Sequence, residues 1–167
     1  IISAASCTTN AIAPVLKLIH EKYGIVHGHV ETVHAYTNDQ NLIDNFHKAD
    51  RRGRSAPLNM VLTETGAAKA VSKAVPELEG KLTGNAVRVP VANVSVAILN
   101  LTLLTGSNSE EINEYLREIA LHSPLQNQIG YTESPDAVST DFIGSRVITI
   151  PAACLPIDLN VPSIAIA

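Results

Sequence analysis

A thiol at Cys7 and an imidazole at His34 are the two side chains best suited to act together as a covalent catalyst. Cys7 is followed by Thr8, Thr9 and Asn10, which read as capping residues, and then by apolar residues at helical spacing. That places the thiol near a helix N-terminus, where free amides and the positive end of the helix dipole favour the thiolate. His34 falls toward the C-terminal end of an alternating, β-branched stretch. A helix start and a strand end can converge on one edge of a sheet, and an imidazole there would lower the thiol pKa further and shuttle its proton. A single cysteine is more often an inert small apolar residue, and a strand histidine more often a packed one.

A second group of residues suits an anion. Ser6, Thr8, Thr65 and Gly66 stand at two expected helix starts, where hydroxyls and unpaired amides favour phosphate. Arg88 interrupts the apolar run Ala86-Val87-Arg88-Val89, and Arg52 lies in the basic run Arg51-Arg52-Gly53-Arg54. Guanidinium groups grip phosphate bidentately, so together these residues suggest a small phosphorylated substrate. The same hydroxyls also serve as helix caps, and Arg88 also suits a structural ion pair. His27-Gly28-His29 lacks a third metal ligand and reads as a solvated strand edge. Cys7 and Cys154 are too few for a disulfide framework or a cysteine-rich metal site and read as thiols, one of them a candidate reactive group.

The elements that must position these groups follow from periodicity. Ile12, Val15, Leu16 and Ile19 form one helical face, with Pro14 bending that helix or marking its regular start. Residues 25–36 alternate as a strand, with Val26, Val30, Thr32 and His34 on one face and His29, Glu31 and Val33 on the other. Residues 37–54 read as a long irregular loop, and regular structure resumes near Leu58. Ala67, Ala68, Val71, Ala74 and Val75 suggest a second helix closed by Pro76 and Gly80. Strands are expected over 85–91 and 94–104, with Pro90 near the turn between them. Ser107 and Glu110 have capping-box spacing ahead of a third helix carrying Ile112, Tyr115, Leu116 and Ile119. Residues 128–132 and 138–143 are weaker strand candidates. The tail, 147–167, has three prolines, one charged residue and no steady period. It reads either as strand and turn or, the favoured reading, as an exposed end prone to association.

Composition sets the broader limits. The chain has 167 residues, 46% of them hydrophobic and 17% charged, with 12 basic against 16 acidic residues and a net charge of −4. That is enough apolar material for a folded core. The charge argues against a nucleic-acid surface or an anionic-membrane anchor. No secretion signal or membrane-spanning run is apparent, so the expected compartment is the cytoplasm. The start, Ile1-Ile2-Ser3, carries no initiator Met and reads as part of a longer protein.

Four segments in order closely resemble the catalytic domain of phosphorylating glyceraldehyde-3-phosphate dehydrogenase. They are Ser3-Ala4-Ala5-Ser6-Cys7-Thr8-Thr9-Asn10, Thr32-Val33-His34-Ala35-Tyr36-Thr37-Asn38-Asp39-Gln40, Thr65-Gly66-Ala67-Ala68-Lys69-Ala70 and Leu82-Thr83-Gly84-Asn85-Ala86-Val87-Arg88-Val89-Pro90. The resemblance runs from about Ser3 to about Arg146, making 1–146 a partial catalytic domain and 147–167 a divergent, unassigned tail. It implies an α+β fold, a mixed and mostly antiparallel sheet with helices packed mainly on one face, incomplete at its C-terminus. It also implies that Cys7 attacks the aldehyde as nucleophile and that His34 is the base. Thr37 and Arg88, helped by Arg52, would hold phosphate groups, while Ser6, Thr8, Thr65 and Gly66 would line the site for incoming phosphate. The implied reaction oxidises glyceraldehyde 3-phosphate with NAD or NADP and inorganic phosphate to 1,3-bisphosphoglycerate, through a thiohemiacetal and a thioester, in a homotetramer with the loop after Tyr36 at a subunit contact.

The resemblance is incomplete. No Gly-x-Gly-x-x-Gly unit is present, so the family's cofactor-binding domain is absent, and so are its Asp-Asn-Glu-Trp-Gly-Tyr segment and C-terminal helix. Val91-Ala92 replaces the family's Thr-Pro. Little or no dehydrogenase activity is therefore expected of this chain alone. Erythrose-4-phosphate dehydrogenase shares the cysteine motif and is the nearest alternative. A catalytically silent association or phosphate-binding domain and a Cys-His acyl hydrolase are alternatives from other classes.

Overall fold

In a computed structural model, residues 6–147, 151–155 and 163–166 are described. Ser3, Ala4 and Ala5 of the first motif, and the parts of the tail at 148–150, 156–162 and 167, lie outside them. The elements are α1 (Cys7–Tyr23), β1 (Ile25–Ala35), β2 (Val61–Glu64), α2 (Ala67–Val71), β3 (Leu82–Val89), β4 (Val96–Leu103), α3 (Ser109–His122), β5 (Pro151–Leu155) and β6 (Ser163–Ile166).

The six strands form one sheet in the order β2-β3-β1-β4-β6-β5. β1 runs parallel to β3 and antiparallel to β4, and the remaining pairs are antiparallel. This is the mixed, mostly antiparallel sheet of an α+β fold. Val30, Ala97, Leu99 and Leu101 on one sheet face join Ile12, Leu16 and Ile19 of α1, Val71 of α2, and Ile112 and Leu116 of α3 in a single buried cluster. The three helices thus share one face. Gly84 permits that close approach: a Cβ there would come within 2.9 Å of the Val30 carbonyl and 3.3 Å of the Ala68 methyl. At the end of α1, Gly24 takes φ 68°, a left-handed conformation that glycine adopts without steric cost.

Several local expectations are corrected. The cap of α1 is Ser6, whose hydroxyl accepts the Thr9 amide at 3.1 Å, rather than Thr8, Thr9 or Asn10. The helix runs through Pro14 unbroken, so the Asn10 carbonyl lacks its i+4 amide donor. The third helix is capped by Asn108, whose carbonyl oxygen accepts the Glu111 amide at 2.9 Å, one residue beyond the expected Ser107. α2 stops at Val71, where the following turn mixes i→i+3 bonds from Lys73 and Ala74 with an i→i+4 bond from Val75, and Val75, before Pro76, leaves the helical region. β3 begins at Leu82, three residues before the expected 85. β2, at Val61–Glu64, is a strand within the segment from which only regular structure near Leu58 is expected.

Residues 138–143 form a 3₁₀ turn at Ser139–Phe142 instead of a strand. The Asp141 carboxylate closes it by accepting the Val138 amide at 2.8 Å. In 128–132, only isolated bridges form at Ile129 and Thr132, after a 3₁₀ turn at Pro124–Asn127. Within the tail, the backbone at 151–155 and 163–166 takes the strand alternative rather than the favoured loose end. Among the described residues no helix is long and apolar enough to cross a membrane.

Candidate active site

β1 and β3 run parallel, and their register sets His34 directly beside Arg88 near the ends of both strands. Val30 and Thr32, two and four residues before His34, are buried on the helix-covered face, so strand alternation carries His34 to that same face. Cys7 is the first residue of α1, and its side chain reaches this strand end. The Cys7 Sγ lies 3.3 Å from His34 Nε2. The expected convergence of helix start and strand end is therefore present.

The thiol is lowered from 9.0 to about 7, chiefly by its hydrogen bond with His34. Partial burial opposes the shift, while the charge of His34 and the hydroxyl and amide of Thr8 assist it. The shift favours the nucleophilic thiolate over the thiol. On the other side of the ring, His34 Nδ1 lies 2.7 Å from the Ala35 carbonyl oxygen and 2.7 Å from Arg88 Nη1. The same Nη1 donates to the Ala35 carbonyl at 3.1 Å. The Ser95 hydroxyl accepts the Ala35 amide at 3.2 Å, so this peptide is held from both ends.

A charged network extends outward from Arg88. Thr37 donates its hydroxyl to Asp39, and Asp39 pairs with Arg52. Arg52 also donates to the Thr63 hydroxyl of β2 at 3.1 Å. Burial raises the Asp39 carboxyl, but the Thr37 hydroxyl, Arg52 and Arg88 together hold it below the usual carboxylate range. Arg88 is half-buried and its pKa is lowered by that burial, with Asp39 opposing and Arg52 adding to the effect. Among the described residues Arg88 forms no ion pair of its own. Sequence reading missed Asp39; its spacing two residues after Thr37 and its position in a loop with Arg52 were the available signals.

A cavity of about 550 Å³ opens beside the pair, lined by Cys7, Thr8, His34, Thr37, Ser95 and Phe142 among others. Thr32, 1% exposed, lines this cavity, and its buried hydroxyl has no hydrogen-bond partner among the described residues. Of the other expected anion residues, Ser6 spends its hydroxyl on the cap and on Thr9 Oγ1 at 2.7 Å. Thr65, just before the Gly66 cap of α2, accepts the Ala67 amide on its hydroxyl at 3.2 Å. Of the expected anion residues Thr8 and Thr37 line the cavity, whereas Ser6, Arg52, Thr65, Gly66 and Arg88 do not. His27 and His29 lie on the opposite sheet face, bonded to Thr102, Thr83 and Asn85, and no metal-ligating cluster occurs among the described residues.

The fold and site define an exposed thiol paired with a part-buried imidazole, with a cationic network beside it. Residues 6–160 match the family model for the C-terminal domain of glyceraldehyde 3-phosphate dehydrogenase, and the chain belongs to that family. It is 71% identical over 146 residues to a glyceraldehyde-3-phosphate dehydrogenase-like protein of Pseudomonas aeruginosa, covering 87% of this chain and 32% of that relative. Identity to glyceraldehyde-3-phosphate dehydrogenase 1 of Bacillus subtilis is 49% over 146 residues, 87% of this chain and 43% of the relative. The enzyme of Cochliobolus lunatus is 46% identical over 161 residues, 96% of this chain and 47% of the relative. The chain therefore spans between about a third and a half of these curated relatives.

Proposed function

We propose that this chain is the acyl-transfer half of a cytoplasmic, NAD(P)-dependent glyceraldehyde-3-phosphate dehydrogenase, with Cys7 as nucleophile and His34 as its base. The observation that carries this reading is the Cys7 Sγ to His34 Nε2 distance of 3.3 Å at a helix N-terminus. The nicotinamide would take up hydride in the whole enzyme. The described residues offer it no cradle: their single parallel strand pair, β1 with β3, has no glycine-rich phosphate turn between them.

The chain's own residues account for the remaining chemistry. Cys7 thiolate adds to the aldehyde carbon, and the amide of Cys7 with a donor from His34 stabilises the resulting oxyanion. Once the carbon is oxidised to the thioester, inorganic phosphate adds to it and the Cys7 sulfur leaves as thiolate, releasing the acyl phosphate. Holding the acyl group on sulfur keeps it activated and separates oxidation from phosphate transfer. Thr37 and Arg88, with Arg52 ordered through Asp39, supply the cationic wall for phosphate. Ser6, Thr8, Thr65 and Gly66 belong to the proposed site for incoming phosphate, with Thr8 at the cavity and Ser6 giving up its cap bond to Thr9 to take part. In the complete enzyme we propose a homotetramer using the loop after Tyr36, where Leu42, Ile43 and Phe46 are exposed.

The acyl-phosphate step runs in reverse without a cofactor and gives a direct test. Acetyl phosphate should acetylate Cys7 once, detected by peptide mass spectrometry, with inorganic phosphate removing the acetyl group and Cys7→Ser blocking the reaction. Discharge to water independent of phosphate would favour a hydrolase, and no acetylation at all would leave a silent domain. In the same preparation, dehydrogenase turnover by the chain alone should be at or near background.

A further inference from the structure

The end of β1 that carries His34 is fastened by the turn between β3 and β4. The antiparallel register pairs Val33 with Val96, and continuing it would set Ala35 opposite Val94. The ladder stops first: β4 begins only at Val96, and Val94 takes φ 66°, a left-handed conformation that β-branched residues avoid. The Ala35 amide is thereby left without the backbone carbonyl that an antiparallel partner supplies. The Ser95 hydroxyl stands in for that carbonyl, accepting the amide at 3.2 Å. One residue on, the Tyr36 amide donates to the Val91 carbonyl at 3.2 Å. Asn93 braces the turn from within, its side-chain oxygen accepting the Val94 amide at 2.9 Å. A strained backbone of this kind persists only where its surroundings fix it, and such positions cluster at functional sites.

We propose that Ser95 is a positioning residue for His34: its hydroxyl holds the Ala35 backbone in the place from which that backbone orients the imidazole toward Cys7. This rests on the reading above that His34 serves Cys7.

The Ala35 carbonyl oxygen lies 2.7 Å from His34 Nδ1 and accepts from Arg88 Nη1 at 3.1 Å, and the same Nη1 lies 2.7 Å from Nδ1. Carbonyl and guanidinium thus bound the ring on its Nδ1 side whichever nitrogen carries the proton. On the other side, Nε2 stands 3.3 Å from Cys7 Sγ, the contact that contributes most to lowering the thiol. Hydrogen bonds weaken steeply with misalignment, so a small turn of the ring forfeits much of that effect. Ala35 is buried, and without Ser95 its amide has no water to turn to, so the peptide must shift to find another acceptor. The charged and titratable groups around His34 are Cys7 from α1 and Arg88 from β3, with Asp39 and Arg52 beyond Arg88. Ser95 adds no charge to that set, so its influence on Cys7 passes through the placement of the ring.

Site-resolved iodoacetamide labelling of Cys7 against pH in the full chain tests this, with urea unfolding followed for each variant so that profiles are compared between folded proteins. Ser95→Ala should raise the apparent Cys7 pKa from about 7 toward 9.0. A rise of about half a unit slows labelling at pH 6 about threefold. Ser95→Thr, which keeps the hydroxyl, should return the profile to about 7. His34→Asn should raise the pKa further, and adding Ser95→Ala to His34→Asn should change nothing more, because the two act through one ring. Three results would each overturn the positioning role while leaving the Cys7–His34 reading intact: an unchanged profile in Ser95→Ala, a Ser95→Thr profile matching that of Ser95→Ala, or a shift that Ser95→Ala adds on top of His34→Asn. A profile that His34→Asn itself leaves in place would overturn both.

Discussion

The two faces of the central strands carry histidines in opposite situations. On the open face, His29 has both nitrogens occupied, Nδ1 by Thr83 at 2.8 Å and Nε2 by Asn85 at 3.0 Å, and His27 Nε2 meets Thr102 at 3.0 Å. On the helix-covered face, His34 has a thiol at one nitrogen and two competing partners at the other. The strand alone does not distinguish them, since all three imidazoles lie on β1. What differs is the supply of partners. Hydroxyls, an amide and the Glu31 carboxylate, 3.7 Å from His29 Nε2, surround the rings on one face, whereas a thiol and a guanidinium flank the ring on the other.

The largest expected effect comes from removing what supports the covered face. Leu99 is fully buried and paired with Val30 beneath the helices. Leu99→Ala should cost about 2–5 kcal/mol in denaturant unfolding and abolish fast Cys7 labelling with it. A loss of stability with fast Cys7 labelling retained would show that the core does not hold the site together.

Next in size is the pH dependence that Cys7 gives to stability. The folded state lowers this thiol from 9.0 to about 7, so it prefers the thiolate relative to the unfolded chain. The resulting stabilisation is fully present above 9.0 and is lost as pH falls through about 7. The stability difference between the chain and Cys7→Ser should therefore shrink steadily from pH 9 to pH 7, as followed by urea midpoints. A pH-independent difference would mean that the folded site does not favour the thiolate.

A smaller effect is expected at the helix start. Ser6→Ala removes the cap on α1 and should cost about 1 kcal/mol, while raising the Cys7 labelling pKa only slightly, because His34 is the larger influence. Smallest of all, His29→Gln on the open face should leave the Cys7 labelling profile unchanged and stability within about 0.5 kcal/mol. Any shift of the Cys7 profile in that variant would collapse the distinction between the faces.

How far these features were legible in sequence depends on distance along the chain. The helical face of Ile12, Val15, Leu16 and Ile19 and the alternation through Val30, Thr32 and His34 are local patterns, and α1 and β1 follow them. β2 is four residues long, with Leu62 and Glu64 exposed, too short for periodicity to mark it. The turn at Asp141 replaced an expected strand because one side-chain bond to Val138 outweighed weak β propensity. Cys7 and His34 could be paired by motif and by element type. The contact of Arg88 with His34 depends on the parallel register of strands 54 residues apart, which no local pattern encodes.

The central claim is that His34 activates Cys7, and site-resolved iodoacetamide labelling against pH tests it most directly. The chain should label at Cys7 with an apparent pKa of about 7, and His34→Asn should return it toward 9.0. A Cys7 profile already near 9.0, or one that His34→Asn leaves in place, would contradict the account.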